Sequence, residues 1–211
     1  MNILLPPKLI APVFSFLLFI PFQKKIGFVD SISPLAGFSS EWNDAKYLKC
    51  NTASRVNYMT NAEKEVIYIL NLARMNPPLF ANSVVKKYPA KHTYYYTSLI
   101  DTLLLLKPVN LLIPDAKCFE SASCHATISG AQGYVGHNRS TDECKNKKHF
   151  TGECCDYGHN KPLDIVMSLL IDEGVSSLGH REICLDSYKK LGVSIQFHNL
   201  YRFTAVLDFY N

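Results

Sequence analysis

Val193-Ser194-Ile195-Gln196-Phe197-His198 alternates apolar and polar residues. After a tight turn at Asn199 and Leu200, Tyr201, Phe203, Ala205, Leu207 and Phe209 alternate with Arg202, Thr204 and Asp208. A period of two over paired runs separated by a short turn is the signature of a β-hairpin with one buried face. Two strands cannot bury that face by themselves. Helices must cover it, so the chain reads as an α/β layered domain.

The covering helices lie upstream. Thr60-x-x-Glu63 is a capping box, and behind it Val66, Ile69, Leu70 and Ala73 recur at helical spacing up to Pro77 and Pro78. A second helix is expected over residues 79–87 and a short apolar one over 98–106, ended by Pro108. Asp115 is a good N-cap for a helix running to about Gly130, with Cys118, Ala122 and His125 on one face. Residues 130–162 are rich in Gly, Asn and Lys and read mostly as loop. Residues 163–173 return to an apolar helix stopped at Gly174, and another short helix follows Gly179-His180-Arg181. There is no internal repeat.

At 211 residues, 47% apolar and 19% charged, the chain suits one domain plus a tail. Residues 1–26 read as a signal peptide or signal anchor. Residues 9–22 are almost unbroken apolar sequence between Lys8 and the pair Lys24 and Lys25, short of the ~20 residues a spanning helix needs. Residues 27–59 read as an N-terminal tail, and the domain proper is expected over 60–211. Seven cysteines suit an oxidising compartment, with Cys144 able to close a short loop with Cys154 or Cys155. A net charge of +4 without a basic stripe argues against nucleic acid as a partner.

Three of the seven histidines follow glycine: His137, His159 and His180. Glycine lets the backbone approach closely and aim the imidazole. Gly152-Glu153 repeats the device with a carboxylate. Two imidazoles and a carboxylate suit zinc or another divalent ion, and the same trio could work as an acid/base cluster. Asp172 and Glu173 sit where the helix macrodipole disfavours negative charge by roughly 0.3–1 kcal/mol; His180 could offset it, but on local grounds a solvated helix end with Arg181 or water as partner is expected first. Cys144, His149, Cys154, Cys155 and His159 have ligand chemistry without the usual zinc spacing, and His125 suits a packed core histidine. No G-x-S-x-G, H-E-x-x-H or G-x-G-x-x-G occurs. Asn138-Arg139-Ser140 is a glycosylation sequon.

Taken in order, Asn61-Ala62-Glu63 through Asn71, Arg74 and Pro77, His125-Ala126, Gly136-His137, Gly152-Glu153 with Tyr157-Gly158, and Gly179-His180-Arg181 with Leu191-Gly192-Val193 resemble the CAP family (cysteine-rich secretory proteins, antigen 5, pathogenesis-related 1), in its bacterial-type members. The resemblance covers about residues 60–210. It implies a three-layer α-β-α sandwich with a small antiparallel sheet ending in the hairpin, and a shallow cavity lined by two histidines and two acids. Carried over by position, these are His137, Glu153 and His180, with Asp172 or Glu173 as the second acid. His137, His180 and Glu153 would be the metal ligands, for zinc or another divalent cation. The family's Asn after the first acid is Cys154 here, which cannot donate the same amide bonds.

Three functions compete. A non-enzymatic extracellular binding module for a lipid, glycan or protein partner is expected first, secreted or in the cell envelope, with membrane contact only through an uncleaved leader. A metal-assisted hydrolase, peptidase or esterase, would use Glu153 as its catalytic base. In a purely structural domain the polar cluster would serve only stability.

Overall fold

Strands β3 (Lys190–His198) and β4 (Arg202–Tyr210) form the expected hairpin, in the register Val193↔Leu207 and Ile195↔Ala205. The computed structural model describes Met1 and residues 32–211, so the expected leader and the start of the expected tail lie outside the described residues. The connection is three residues long, and Arg202 carries a positive φ of 69° to close it. Strand β2 (Gly152–Tyr157) pairs antiparallel with β4, placing Glu153 opposite Asp208. Strand β1 (Ile113–Pro114) pairs parallel with β3, so the sheet order is β1-β3-β4-β2 and the sheet is mixed rather than antiparallel throughout.

Strand β2 lies inside the stretch expected as loop. Its residues are buried on both faces from Gly152 to Asp156, so no alternation marks it. Short strands covered on both sides read as continuous runs.

Eight α-helices complete the described residues: α1 (Ala45–Leu48), α2 (Asn61–Met75), α3 (Pro77–Ser83), α4 (Tyr94–Leu105), α5 (Ala116–Gln132), α6 (Asp142–Asn146), α7 (Pro162–Ile171) and α8 (Gly179–Leu185). Helix α5 packs on one face of β3 and β4. Gly192 permits this approach, because a Cβ there would stand 2.0 Å from the Phe119 backbone nitrogen. On the other face Leu191, Val193, Ala205, Leu207 and Phe209 join the core formed with α2 and α7. The result is helix, sheet and helix in layers, an α/β fold.

The capping box of α2 is present. Thr60 Oγ1 accepts from Glu63 N at 3.3 Å, and Glu63 Oε2 accepts from Thr60 N at 2.7 Å. Its other oxygen accepts from Ile195 N at 2.9 Å, tying the helix start to β3. Asn71 and Arg74 are fully buried and bond backbone groups: Asn71 pairs with Leu112, and Arg74 donates to the carbonyls of Asn110, Cys184 and Tyr188. Those two residues of the family-like motif therefore hold the frame.

Two expectations need correcting. Residues 33–59 are built into the domain: Leu35, Trp42, Tyr47, Cys50, Ala53 and Met59 are buried in the main core, and Trp42 Nε1 donates to Ser83 Oγ at 3.0 Å. A 3-10 turn (Ser40–Asn43) and the one-turn α1 are too short to show periodicity. Cys144 is bonded to Cys124 of α5, not to Cys154 or Cys155. Those two sit in β2, and with Cys50, Cys118 and Cys184 they are free and buried. Among the described residues no helix is long and apolar enough to cross a membrane.

Candidate functional site

His137 lies in the loop between α5 and α6. Gly136 before it has φ 131°, donates its N–H to the Tyr157 hydroxyl (2.9 Å), and gives its carbonyl to His125 Nε2 (2.9 Å). Clamped this way, the loop sets His137 Nδ1 2.8 Å from Glu153 Oε1, while the ring stays 55% exposed at the surface.

Glu153 points from β2 toward α5 and is buried. Its Oε2 accepts from Arg139 at 2.6 Å, and the same guanidinium nitrogen reaches Asp208 Oδ2 at 3.3 Å and Ser121 Oγ at 3.4 Å. Arg139 also stacks on the Phe150 ring, 4.5 Å from its centroid. One guanidinium thus serves two buried carboxylates on neighbouring strands. Burial alone would raise Glu153, but hydrogen bonds from His137 and Arg139 outweigh it and hold the carboxyl at about 2. Burial, then the Glu153 charge, push Asp208 up to about 9, well above the ordinary carboxylate range. The His137 imidazole is raised, chiefly by its bond to Glu153.

His180 stands in the first turn of α8. Its Nδ1 lies 2.7 Å from Asp172 Oδ1, and Asp172 Oδ2 accepts from the backbone N–H of His180 (2.9 Å) and Arg181 (3.2 Å). Asp172 closes α7 in the left-handed conformation at φ 58°, so the helix stops there rather than at Gly174. The amides at the start of α8 and the His180 ring offset its charge. The Arg181 side chain caps the free carbonyls of Leu170 and Ile171. Asp172 is therefore the acid that holds His180, and for it the expected solvated helix end is corrected: the side chain is buried, because the left-handed turn points it inward. Glu173 is exposed at the rim and accepts from Thr93 Oγ1 at 2.6 Å.

The two histidines come together, with ring centroids 6.4 Å apart and planes inclined by 36°. Each has Nδ1 on a buried carboxylate, and Nε2 has no hydrogen-bond partner among the described residues. On the His180 side opens a cavity of 480 Å³, lined by Tyr88, Ala90, Leu169, Ile171 and Val175, by Lys91 and Cys155, and by His180, Asp172 and Glu173; His137 stands outside its lining. His159 also lines it, held by Asp156 at 3.1 Å.

Glu153 does not stand beside the imidazoles as a third free ligand: both its oxygens are engaged, one behind His137 and one on Arg139. Two other groups among the described residues hold metal-ligating atoms within 4.8 Å of one another: His125, Glu153 and Cys155, all buried, and Asp115, Cys118 and His149. Buried His/Glu/Cys groups that could hold a metal ion are therefore present.

Arg139 and Asp208 carry no local signal of their roles. Arg139 stands two residues after His137, inside the sequon, and Asp208 sits on the polar register of the hairpin. Only the pairing of β2 with β4 brings them to Glu153, and β2 is the strand that periodicity hides.

No protein-family model, curated protein or solved structure matches the chain.

Proposed function

We propose that the chain is an exported binding module of the CAP type that takes a lipid, glycan or protein partner at the 480 Å³ cavity. In this reading Nε2 of His137 and Nε2 of His180 hold a divalent cation, zinc foremost, at its edge. One observation carries it: two imidazoles 6.4 Å apart, each with Nδ1 fixed by a buried carboxylate. That is the outer support metal-ligating histidines usually have. When bound, the cation would supply a Lewis-acidic point for a ligand oxygen. The apolar cavity wall would hold the rest of the partner. The apolar run at residues 9–22 and the Cys124–Cys144 bridge support an oxidising, exported location.

The binding reading is favoured over a hydrolase by the state of Glu153. A general base needs a pKa near working pH and reach to a water. Glu153 is held at about 2, with both oxygens occupied.

Calorimetry with Zn²⁺ on the wild type and on His137→Ala plus His180→Ala tests the proposal. Binding in the wild type that weakens at least tenfold in the double variant supports it, and equal binding by both overturns it. Metal-dependent ester or peptide turnover abolished by Glu153→Gln would establish the hydrolase instead.

A further inference from the structure

We propose a second metal site, buried behind the imidazole pair, in which His125, Glu153 and Cys155 bind a zinc-class divalent cation and His137 Nδ1 closes the fourth corner. Glu153 and Cys155 are two residues apart on β2, hence on one face, and His125 comes from α5, which packs over that face. Their ligand atoms lie within 4.8 Å of one another, and all three residues are buried. His137 Nδ1 lies 2.8 Å from Glu153 Oε1 and 3.8 Å from Cys155 Sγ. A tetrahedral zinc with its usual bond lengths separates its ligand atoms by about 3.3–3.8 Å. For one nitrogen and one sulfur the separation is about 3.5 Å, so His137 and Cys155 must close by about 0.3 Å and His137 and Glu153 open by about half an ångström.

The outer contacts are those of a metal centre. The Gly136 carbonyl takes the Nε2 proton of His125, which leaves that ring a lone pair on Nδ1. Arg139 holds the Glu153 oxygen that faces away from His137. Such partners fix the tautomer and orientation of ligands. The Cys155 thiol forms no disulfide; it packs with Ala122, Ala126, Val206 and Tyr157 and borders the 480 Å³ cavity. A mixed nitrogen, oxygen and sulfur set selects zinc-like ions over magnesium or calcium.

The binding step balances simply. The Cys155 S–H bond breaks, a sulfur–metal bond forms and the proton leaves to solvent. The His137 proton moves from Nδ1 to Nε2, which breaks the bond to Glu153 and frees both Nδ1 and Oε1 to ligate, while Oε2 stays on Arg139. A neutral imidazole has one lone pair, so a cation here and a cation on His137 Nε2 in the exposed pair exclude each other, and experiment shows which of the two His137 joins.

The test is Co²⁺ titration of the metal-free full-length chain, with its disulfide intact, followed by absorption spectroscopy. The expected result is a sulfur-to-cobalt charge-transfer band with the visible bands of a tetrahedral ion. It should disappear in Cys155→Ser and persist in His180→Ala and in Cys118→Ser, which removes the thiol of the other group. Far-ultraviolet circular dichroism shows whether Cys155→Ser is folded, and Cys155→Ala serves if it is not. A wild type without the band overturns the proposal, as does a band that survives loss of Cys155 or vanishes with Cys118 or His180. Cobalt binding that needs His180 and shows no sulfur band would leave the exposed site standing and remove this one.

Discussion

Asp208 and Glu153 face each other across β4 and β2 with one guanidinium between them, so the charge of each bears on the other. The pH consequence has a definite sign. Glu153 is lowered from 4.5 to about 2 in the folded chain, so its contribution is complete above 4.5 and is lost as pH falls toward 2. Asp208 is raised from 3.8 to about 9, so between those values the native state binds a proton that the unfolded state has released. Its effect is a loss of stability as pH rises across that window. Asp208→Asn should therefore be more stable than wild type at pH 8, with the difference shrinking toward pH 5. Urea midpoints at the two values check this, and an advantage that grows toward pH 5 would contradict it. Asp172 gives a second prediction. Its carboxylate accepts three bonds, from the His180 ring and two amides, and is 3% exposed. Asp172→Ala should cost about 1–3 kcal/mol for the groups left unpaired and should also free the His180 ring. Denaturant unfolding and Zn²⁺ calorimetry on one sample would show both losses. At this scale the sequence was informative about His137, Glu153 and His180, each preceded by glycine. It left Asp172 and Glu173 undecided, because only the left-handed turn at Asp172 determines which acid points inward.

Helix caps and close approaches govern the elements. Thr60→Ala removes one half of the capping box and should cost about 1 kcal/mol, read as a lower urea midpoint with an unchanged slope. Gly192→Ala should cost far more. Its Cβ would meet the backbone of Cys118 and Phe119 at 2.0–2.6 Å, and backbone cannot step aside as a side chain can. The variant should lie at or beyond the upper end of the roughly 1–3 kcal/mol typical of overpacking, or fail to fold. A Gly192→Ala protein as stable as wild type would contradict the close packing of α5 on β3. The hairpin, the α2 cap and the Asp115 cap of α5 were legible because period and capping chemistry are local. Strand β2 was not, since burial on both faces erases alternation and its flanks are rich in loop formers.

For the whole molecule, the Cys124–Cys144 bridge spans the loop that carries His137 and Arg139. With a sequence separation of 20 it should contribute about 3 kcal/mol. The Cys124→Ser plus Cys144→Ser variant should lose that stability and bind Zn²⁺ more weakly, because the His137 loop is then untethered. The layered α/β architecture followed from one hairpin needing cover. The extent of the domain did not, because Trp42 and Leu35 enter the core through turns too short to have a period. Any protein used for testing must therefore keep residues 33–59. The pairing of the two imidazoles is best tested by an anomalous difference map from crystals of the full-length chain soaked in Zn²⁺. A peak about 2.0–2.1 Å from Nε2 of both His137 and His180 is the predicted result. Zinc bound elsewhere in the crystal, with no peak between these two rings, would contradict it.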